Sequence, residues 1–379
     1  MIIGIDGNEA NVVKRVGISE YAYWLLYYFA KFANENKTPG VTFIIYLKKA
    51  PIDAFPKETE NWKYKIVGPG KFWTQFGLPF NLFLSKPKPD VFFSPTHYAP
   101  RFSPVPSVIS VMDLSFLRFQ ELFNKSDLYQ LKNWTKYSVK KATQIITISN
   151  SSRNDIIETY QVPEEKVLTI YPGIKQSVTL EPHVYAMNEL KAKYAVSTNY
   201  ILFVGTLQPR KNISRLIEAF SKIKESDFEL KDVELVIIGK KGWLYEEILE
   251  APKKYNIEDK VKFLEGINDD ELTIFYKHAL CYVLPSLYEG FGLPVVEAMK
   301  HGCPVVTSNV SSMPEAGGDA AIYIDPEDVD DIAKKIVKVV NDKELRKELS
   351  EKGKKQAAKF SWEKTAKETL KILVDVASK

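Results

Sequence analysis

The chain has 379 residues, of which 45% are hydrophobic, 26% charged and 12% aromatic. At roughly 150 residues per domain, this length predicts two domains with sizeable cores. The composition excludes a collagen, a coiled coil and a disordered tail protein. Only Cys281 and Cys303 are present, which excludes a disulfide scaffold and a cysteine-rich zinc site. The net charge is +4, and its basic excess lies in the first half, where an anionic partner or ordinary solvated surface would account for it.

The sequence begins MIIGIDGNEA, with neither a basic segment nor a long apolar stretch. We therefore expect no signal peptide. No window holds about 18 consecutive apolar residues, so we expect no helix that spans a membrane. These features predict a cytoplasmic protein, either free in the cytosol or peripheral at the inner membrane face.

Short apolar runs alternate with helical stretches along the first half, which is typical of parallel sheets covered on both faces. Predicted strands cover residues 2–6, 42–47, 62–67, 91–94, 107–112, 143–148 and 166–171. Predicted helices cover residues 19–32, 128–141 and 151–160. Together they predict an α/β domain over residues 1–172.

The second half restarts the pattern after residues 173–198, which lack strong apolar periodicity and are interpreted as a linker. Its predicted strands cover 200–205, 233–239, 260–264, 279–285 and 304–309, and its predicted helices 213–224, 328–340 and 343–359. Asn212 stands where a helix cap belongs. Residues 199–360 then form a second α/β domain. The last helix, within residues 361–379, packs on its own domain or crosses back to the first.

The first candidate site is residues 288–299, YEGFGLPVVEAM, directly after a predicted strand. Ligands of open α/β sheets bind beyond the carboxyl ends of strands. Gly290 and Gly292 let the backbone approach a ligand, and Pro294 suits the first turn of a helix. The N–H groups of that turn favour an anion such as phosphate.

Two carboxylates, Glu289 and Glu297, flank this predicted anion site. Carboxylates accept hydrogen bonds from sugar hydroxyls, so a transferred sugar near Glu289 and a ribose near Glu297 would suit a sugar diphosphate. On spacing alone, a surface carboxylate at Glu289 and a helix-dipole partner at Glu297 are the simpler interpretations.

The second candidate is residues 205–212, GTLQPRKN, between a predicted strand and a helix. Arg210 and Lys211 lie at the helix start, where the helix dipole disfavours cations unless an anion is bound. A planar guanidinium and a point-charge ammonium suit a diphosphate. A solvated basic turn is the alternative. The segment lacks the spacing of a P-loop.

The first half offers weaker candidates. Gly17, at the end of a long loop after the first strand, could let the backbone face a phosphate or an acceptor. This loop lacks G-x-G-x-x-G, so a dinucleotide site is disfavoured. His97 could bind an acceptor or assist proton transfer, although an ordinary hydrogen-bonded histidine is the simpler interpretation. Asp113 ends a strand, and either role is open to it. The scattered histidines predict no metal site.

Residues 71–88 mix aromatic and basic side chains. Such a mixture can bind a membrane interface or a lipid-linked acceptor, but we favour a core helix that ends at Pro87. The same mixture suits single-stranded nucleic acid, yet the chain carries no RNA-binding signature, so no nucleic-acid partner is expected.

Taken together, these segments resemble retaining glycosyltransferase family 4. Residues 288–299 are similar to the family's E-x7-E segment, and residues 205–212 to its G-x4-R-K-N loop. Gly17 is similar to its N-terminal glycine loop, with Val16 in place of the usual second glycine, and Ser149 to the serine of its T-x-S segment. Two further similar stretches are Met313-Pro314-Glu315 and Phe360-Ser361-Trp362.

The resemblance implies the GT-B fold, in which two Rossmann-like domains face each other across a cleft. It implies a nucleotide-diphosphate sugar donor in the second domain, an acceptor in the first, retention of configuration, and no metal or other cofactor. It assigns Arg210 and Lys211 to the diphosphate, Glu289 to the donor sugar and Glu297 to the ribose. The other donor-binding residues it implies are Gly17, Ser149, Gly205, Phe291, Gly292 and Leu293.

One departure concerns the acceptor side, where Met112 replaces the histidine that usually precedes Asp113. His97 is a candidate substitute. The residues of the two motifs resemble those of mannosyltransferases and so favour GDP-mannose as the donor. UDP-glucose, UDP-galactose and UDP-N-acetylglucosamine are the alternative donors. The acceptor is a glycan, a lipid-linked compound or a small molecule, and peripheral membrane association is open. A nucleotide-sugar 2-epimerase and a non-catalytic sugar-nucleotide-binding subunit are the alternatives.

Overall fold

A computed structural model describes residues 1–68, 70–175, 185–226, 230 and 232–379. The chain forms two compact units. The first comprises Met1–Gly173 and Ser361–Lys379, and the second comprises Ile174–Phe360. Each unit is a parallel sheet with helices between its strands, as alternating apolar strands and helices predict.

The described strands of the first unit form a seven-stranded sheet. They are β1 (Ile2–Asp6), β2 (Thr42–Leu47), β3 (Trp62–Ile66), β4 (Val91–Ser94), β5 (Ser107–Ser110), β6 (Gln144–Thr147) and β7 (Val167–Thr169). Their spatial order is β3-β2-β1-β4-β5-β6-β7, and all neighbours are parallel. The chain direction across the sheet reverses between β1 and β4, so the loops after these strands meet at a switch point.

Helices connect these strands. They are α1 (Ile18–Asn34), α2 (Leu78–Leu84), α3 (Ser115–Arg118), α4 (Lys125–Lys141) and α5 (Asn150–Tyr160), with a π-helical turn at Trp73–Gly77 before α2. The sheet core is apolar on consecutive positions: Val91, Phe92 and Phe93 of β4 are all fully buried. This burial on both faces is what the continuous apolar runs predict.

The described strands of the second unit form a six-stranded parallel sheet. They are β8 (Tyr200–Val204), β9 (Glu234–Ile238), β10 (Val261–Leu264), β11 (Cys281–Leu284), β12 (Val305–Ser308) and β13 (Ala321–Ile324). The spatial order is β10-β9-β8-β11-β12-β13. The switch point therefore lies between β8 and β11.

The described helices of this unit are α6 (Tyr185–Tyr194), α7 (Ile213–Ser226), α8 (Glu246–Lys254), α9 (Asp269–His278), α10 (Leu293–Lys300), α11 (Met313–Gly317), α12 (Val329–Asn341) and α13 (Lys343–Ala357). Residues 176–184 of the predicted linker lie outside the described residues. Residues 185–194 of that linker form α6, which belongs to the second unit.

The last helix, α14 (Trp362–Ala377), belongs to the first unit. The Trp362 ring packs edge-to-face on Tyr21 of α1, with centroids 5.9 Å apart. Thr365 Oγ1 donates a hydrogen bond of 2.8 Å to the carbonyl oxygen of Tyr171. At Gly173 a Cβ would overlap the backbone of Trp362, so this close approach requires glycine.

The core helix predicted over residues 71–88 is wrong in two respects. Helix α2 ends at Leu84, three residues before Pro87, and only one side of the segment is buried. The sequence could not settle this point, because the many apolar side chains of the segment do not define one narrow stripe. None of the helices in the described part of the chain is both long and apolar enough to cross a bilayer.

Candidate functional site

The loops after β8 and β11 lie side by side, because these strands are parallel neighbours at the switch point. The β8 loop ends in a 3-10 turn at Pro209–Lys211. Its Arg210 carbonyl accepts a hydrogen bond of 2.9 Å from the backbone N–H of Leu287 in the β11 loop. The two strongest sequence motifs therefore form one site.

Three predicted site residues meet in an ion cluster within this site. Arg210 Nη1 lies 2.9 Å from Glu289 Oε2, and Lys211 Nζ pairs with Glu289 Oε1. Ser286 Oγ donates a hydrogen bond of 2.8 Å to the same Oε1. Lys211 and Glu289 are only 6% and 7% exposed. The cluster thus brings two cations to one buried carboxylate.

The protonation state of Glu289 follows from these contacts. Burial alone would raise the pKa of this carboxyl. The opposing charges of Lys211 and Arg210, with the hydrogen bonds from Lys211 and Ser286, lower the pKa to about 2. Glu289 is therefore ionised throughout the physiological pH range.

Hydrogen bonds from side chains to the backbone hold the two loops in register. The Asn212 side-chain amide donates to the carbonyl oxygens of Pro285 at 3.0 Å and Pro326 at 2.6 Å. The Glu289 carbonyl accepts from Ser311 Oγ at 2.7 Å and Ser312 Oγ at 2.9 Å. These hydrogen bonds therefore fix the backbone that carries the ion cluster.

The glycine-rich turn ends at helix α10. Gly292 is the N-cap residue of α10 and has a φ of +95°, a conformation that favours glycine. Leu293 is the first helical residue, and Glu297 lies one turn further along. The Phe291 ring is buried edge-to-face on Phe360, with centroids 5.1 Å apart, so this side chain serves the core.

Close packing also governs the path of the β8 loop. A Cβ at Gly239, directly after β9, would overlap the carbonyl oxygen of Gly205. A Cβ at Gly205 itself would lie 3.8 Å from Lys211 Cε. The two glycines therefore let the β8 loop pass over the sheet edge next to the ion cluster.

Two residues that the resemblance assigns to the donor lie in the first unit. Gly17 is the N-cap residue of α1 with a φ of +53°, and a Cβ there would have nothing within 4 Å. Ser149 is fully buried, and its hydroxyl caps α5 by accepting a 3.0 Å hydrogen bond from the Ser152 N–H.

The acceptor-side candidates lie after β4 and β5. Burial lowers the pKa of His97, an effect that the charge of Asp113 opposes. His97 Nδ1 is buried without a hydrogen-bond partner among the described residues. Asp113 Oδ1 accepts a hydrogen bond of 2.8 Å from the Ser115 N–H. Met112, where the family has histidine, packs into the apolar core.

A pocket of about 340 Å³ opens at the switch point of the first sheet. Asp6 and Asn8 line it from the β1 side, Thr96 and Tyr98 from the β4 side, and Trp134 from α4. His97 is not among its described lining residues. Aromatic rings beside carboxylate and amide groups suit a sugar or another polyhydroxylated molecule.

The sequence analysis missed Asp6 as a site residue. Its carboxyl is buried, and Oδ1 accepts hydrogen bonds from Asn8 N at 3.0 Å and Asn8 Nδ2 at 2.6 Å. Burial nevertheless raises its pKa to about 6. A strand-terminal aspartate before Gly7 was the available signal. No cluster of three or more His, Cys, Asp or Glu side chains in the described part of the chain could hold a metal ion.

Comparison with known proteins identifies the class. Residues 187–356 match the family model "Glycosyl transferases group 1", and residues 53–177 match "Glycosyltransferase Family 4". With its two parallel α/β sheets, the protein is a glycosyltransferase of the GT-B fold. The chain belongs to glycosyltransferase family 4, which confirms the family and the fold class predicted from its motifs.

Known relatives support this assignment. The chain is 31% identical over 264 residues to O-antigen chain mannosyltransferase B of Escherichia coli, covering 70% of this chain and 69% of that protein. It is 32% identical over 231 residues to the serotype-specific mannosyltransferase WbdA of E. coli, covering 60% of this chain but 28% of that protein. The structure of HepE from Anabaena in complex with UDP and glucose aligns with a TM-score of 0.71 at 18% identity, covering 99% of both chains.

Proposed function

We propose that this glycosyltransferase moves a sugar from a nucleotide-diphosphate donor to an acceptor hydroxyl with retention of the anomeric configuration. The observation that carries the proposal is the pairing of Arg210 and Lys211 with Glu289 at the β8–β11 switch point. A guanidinium and an ammonium held side by side are the groups that bind a diphosphate. The donor diphosphate is the anion that this site would receive.

The cations act where charge develops during transfer. The bond between C1 of the sugar and the phosphate oxygen breaks while the acceptor oxygen attacks C1 from the same face. The departing phosphate gains negative charge, which Arg210 and Lys211 stabilise. It also takes the proton of the acceptor hydroxyl, so the step needs no separate base. A cationic hydrogen-bonding group that is fixed in place before the reaction lowers the activation barrier by about 3 kcal/mol.

Carboxylates and the start of α10 orient the rest of the donor. Glu289 accepts hydrogen bonds from Arg210, Lys211 and Ser286, and a carboxylate has about four acceptor positions, so it can also accept one from a sugar hydroxyl. Glu297 would accept from the ribose. The N-terminus of α10 would face the phosphates. The backbone at Gly205, Phe291, Gly292 and Leu293 completes the donor contacts proposed for the second unit. Gly17 and Ser149 of the first unit stay predictions from the resemblance.

The pocket of the first unit is the proposed acceptor site. The Asp6 carboxylate would accept hydrogen bonds from acceptor hydroxyls, and Tyr98 and Trp134 offer rings for a sugar face to stack on. His97 stands between the lining residues Thr96 and Tyr98, and Asp113 follows β5, the neighbour of β4, so we propose a positioning role for both. A glycan or a lipid-linked sugar fits this lining.

GDP-mannose is the proposed donor, because the two similar relatives named above are described as mannosyltransferases. A thermal-shift panel tests this choice with GDP-mannose, UDP-glucose, UDP-galactose and UDP-N-acetylglucosamine. Binding to the folded state raises the melting temperature by mass action, so the donor should give the largest rise. A larger rise with any UDP-sugar overturns mannose, and no rise with any donor overturns the proposed site.

Alanine variants of the two cations test the mechanism. We expect Arg210→Ala and Lys211→Ala each to lower kcat on the order of a hundredfold, the typical cost of one stabilising group at the reacting centre. Lys222→Ala is the matched control, because Lys222 pairs with Asp330 on the surface of the same unit. Near-normal turnover in both cluster variants contradicts the mechanism. Donor converted without an acceptor indicates an epimerase instead.

A further inference from the structure

One side of residues 73–84 presents apolar side chains to solvent. Phe76, Phe80, Phe83 and Leu84 recur at helical spacing and are each between 60% and 68% exposed. Single exposed apolar residues are ordinary on protein surfaces. A contiguous stripe of them marks an interaction site.

The opposite side of the same segment is anchored in the core. Trp73, Leu78 and Leu82 are buried in an apolar cluster with Phe92 of β4. Trp73 Nε1 also donates a hydrogen bond of 2.9 Å to the Val67 carbonyl. The exposed stripe is therefore held rigidly by packing. Its exposure does not result from a frayed helix.

Two further phenylalanines extend the stripe from its flanks. Phe72 precedes the π-helical turn. Phe102 lies in a loop that is joined to this turn by a backbone hydrogen bond of 3.0 Å, from the Arg101 N–H to the Thr74 carbonyl oxygen. Both rings are exposed, Phe102 to 79%. Both residues have a positive φ, 53° and 50°, which is strained for an aromatic residue. We define the phenylalanine face as Phe72, Phe76, Phe80, Phe83, Leu84 and Phe102.

Positive charge surrounds this face. Residues 61–89 contain five lysines and no acidic residue. Lys71 Nζ lies 5.7 Å from the centroid of the Phe72 ring, and Lys88 Nζ lies 4.9 Å from that of Phe83. The ammonium groups thus stand at the edge of the apolar surface, the arrangement in which lysine stems cover apolar area while their charges stay in a polar layer.

We propose that the phenylalanine face docks on the surface of a bilayer that contains anionic lipid. The phenyl rings enter the boundary between headgroups and acyl chains, and Lys71, Lys86 and Lys88 contact lipid phosphates. Both halves of the pattern, an apolar stripe anchored in the core and lysines beside it in a stretch of sequence without acids, match this one partner.

A second copy of the chain is a poorer occupant. Pairing two such faces about a two-fold axis would bring the lysine rims of both copies together. Like charges placed opposite each other in an interface are unfavourable. An anionic lipid surface instead neutralises the same rim.

Docking would also place the acceptor pocket at the membrane. The pocket is lined by Phe72, which belongs to this face, and by three residues next to it, Lys71, Trp73 and Thr74. A lipid-linked acceptor could then enter the pocket from the bilayer. This consequence rests on the proposed function, whereas docking itself does not.

Vesicle co-sedimentation tests the proposal without any substrate. The probes are vesicles of phosphatidylcholine alone and of an equimolar mixture with phosphatidylglycerol. We expect the protein to sediment with the mixed vesicles, and less so at high salt. The triple variant Phe76→Ser, Phe80→Ser, Phe83→Ser should lose at least tenfold in partitioning. The matched control is Trp243→Ser with Leu244→Ser, which removes exposed apolar residues from the second unit.

A second pair of variants tests the charge rim. Lys86→Gln with Lys88→Gln should weaken sedimentation with mixed vesicles several-fold, and Lys343→Gln with Lys347→Gln, exposed on α13, should not. All these positions are exposed, so melting temperatures should stay unchanged. Wild-type protein left in the supernatant, or equal sedimentation of the triple variant, overturns the proposal. Self-association lost in the triple variant, without vesicle binding, assigns the face to a second copy.

Transfer to a water-soluble acceptor separates this proposal from the proposed function. We expect the triple variant to retain that activity, because none of its substituted residues lines the pocket. If the wild type does not bind vesicles but transfers the sugar, only the docking proposal is refuted. If the wild type binds vesicles but transfers no sugar to any acceptor, only the proposed function is refuted.

Discussion

The side chain of Asn212 bonds to the backbone of Pro285, which joins the two loops that carry the ion cluster. Asn212 has a φ of 60°, so its conformation also contributes to the turn. We expect Asn212→Gly to lower the free energy of unfolding by about 2 kcal/mol, because buried carbonyl groups lose their donor. Asn212→Ala should cost about 1 kcal/mol more, because alanine is strained at this φ.

Urea unfolding checks this pair, and the glycine variant separates the lost hydrogen bonds from the backbone strain. Both variants should also weaken donor binding, because Arg210 and Lys211 precede Asn212 directly. Equal stability of the wild type and Asn212→Gly contradicts the bracing role.

Glu289→Gln removes the carboxylate between two cations. We expect its stability without ligand to fall by about 3 kcal/mol, because Lys211 is left buried without its counter-ion. Affinity for GDP or UDP should rise, since the nucleotide phosphates then replace the lost anion. Transfer should fall, because the sugar loses its acceptor group.

Calorimetric titration with the nucleotides and a transfer assay measure these opposite effects. A control is Glu348→Gln, which breaks an exposed ion pair with Lys352. Unchanged nucleotide affinity together with normal transfer in Glu289→Gln would remove Glu289 from the site. In the wild type, the depressed pKa of Glu289 contributes stability that is complete above about pH 4.5 and is lost as the pH falls towards 2.

Asp6 has the opposite linkage. Its pKa is raised from 3.8 to about 6, so the folded state holds the proton more tightly, and its contribution to stability falls as the pH rises from about 4 to about 6. Asp6→Asn should therefore be more stable than the wild type at pH 7.5, on the order of 2 kcal/mol. This gain should vanish below about pH 4.

The same substitution tests the role of Asp6 in acceptor binding. We expect kcat/KM for the acceptor to fall about tenfold or more, the value of a hydrogen bond to a charged group. The wild-type rate should decline on the acid side with an apparent pKa of about 6, and this limb should be absent in Asp6→Asn. Asp53→Asn, an exposed acid in the same unit, is the control. An unchanged acid limb in Asp6→Asn counts against the assignment.

Gly239→Ala places a methyl group against the Gly205 carbonyl. The backbone there can yield little, so we expect overpacking to lower the free energy of unfolding by about 1–3 kcal/mol and to displace the loop that carries Lys211. Gly68→Ala is the control, because a Cβ there has nothing within 4 Å. Chemical unfolding and the KM for the donor report the two effects, and a variant as mild as Gly68→Ala would show that the contact yields easily.

Much of the fold follows from local pattern. The predicted strands at residues 2–6, 42–47 and 91–94 have the bounds found for β1, β2 and β4, because buried parallel strands are continuous apolar runs. The strand β13 (Ala321–Ile324) was missed. It has four residues and two partly exposed side chains, so its signal is weak.

Side-chain partners were less predictable. The β8 and β11 loops were found from their glycines and charges, but the pairing of Lys211 with Glu289 joins residues 78 positions apart and depends on strand order. Asn212 stands directly before α7, the position predicted for a helix cap, but the hydrogen bonds of its amide to two other loops were not predicted. The burial of Asp6 has no local signature. A segment with as many apolar side chains as residues 73–84 does not encode which face meets the core.

The position of α14 bears on the order in which the protein is made. Trp362 and Thr365 complete the packing of the first unit, yet they are synthesised after every residue of the second. On the ribosome, the second unit can close while the first still lacks its last helix. The N-terminal segment, which leaves the ribosome first, therefore completes its native packing last.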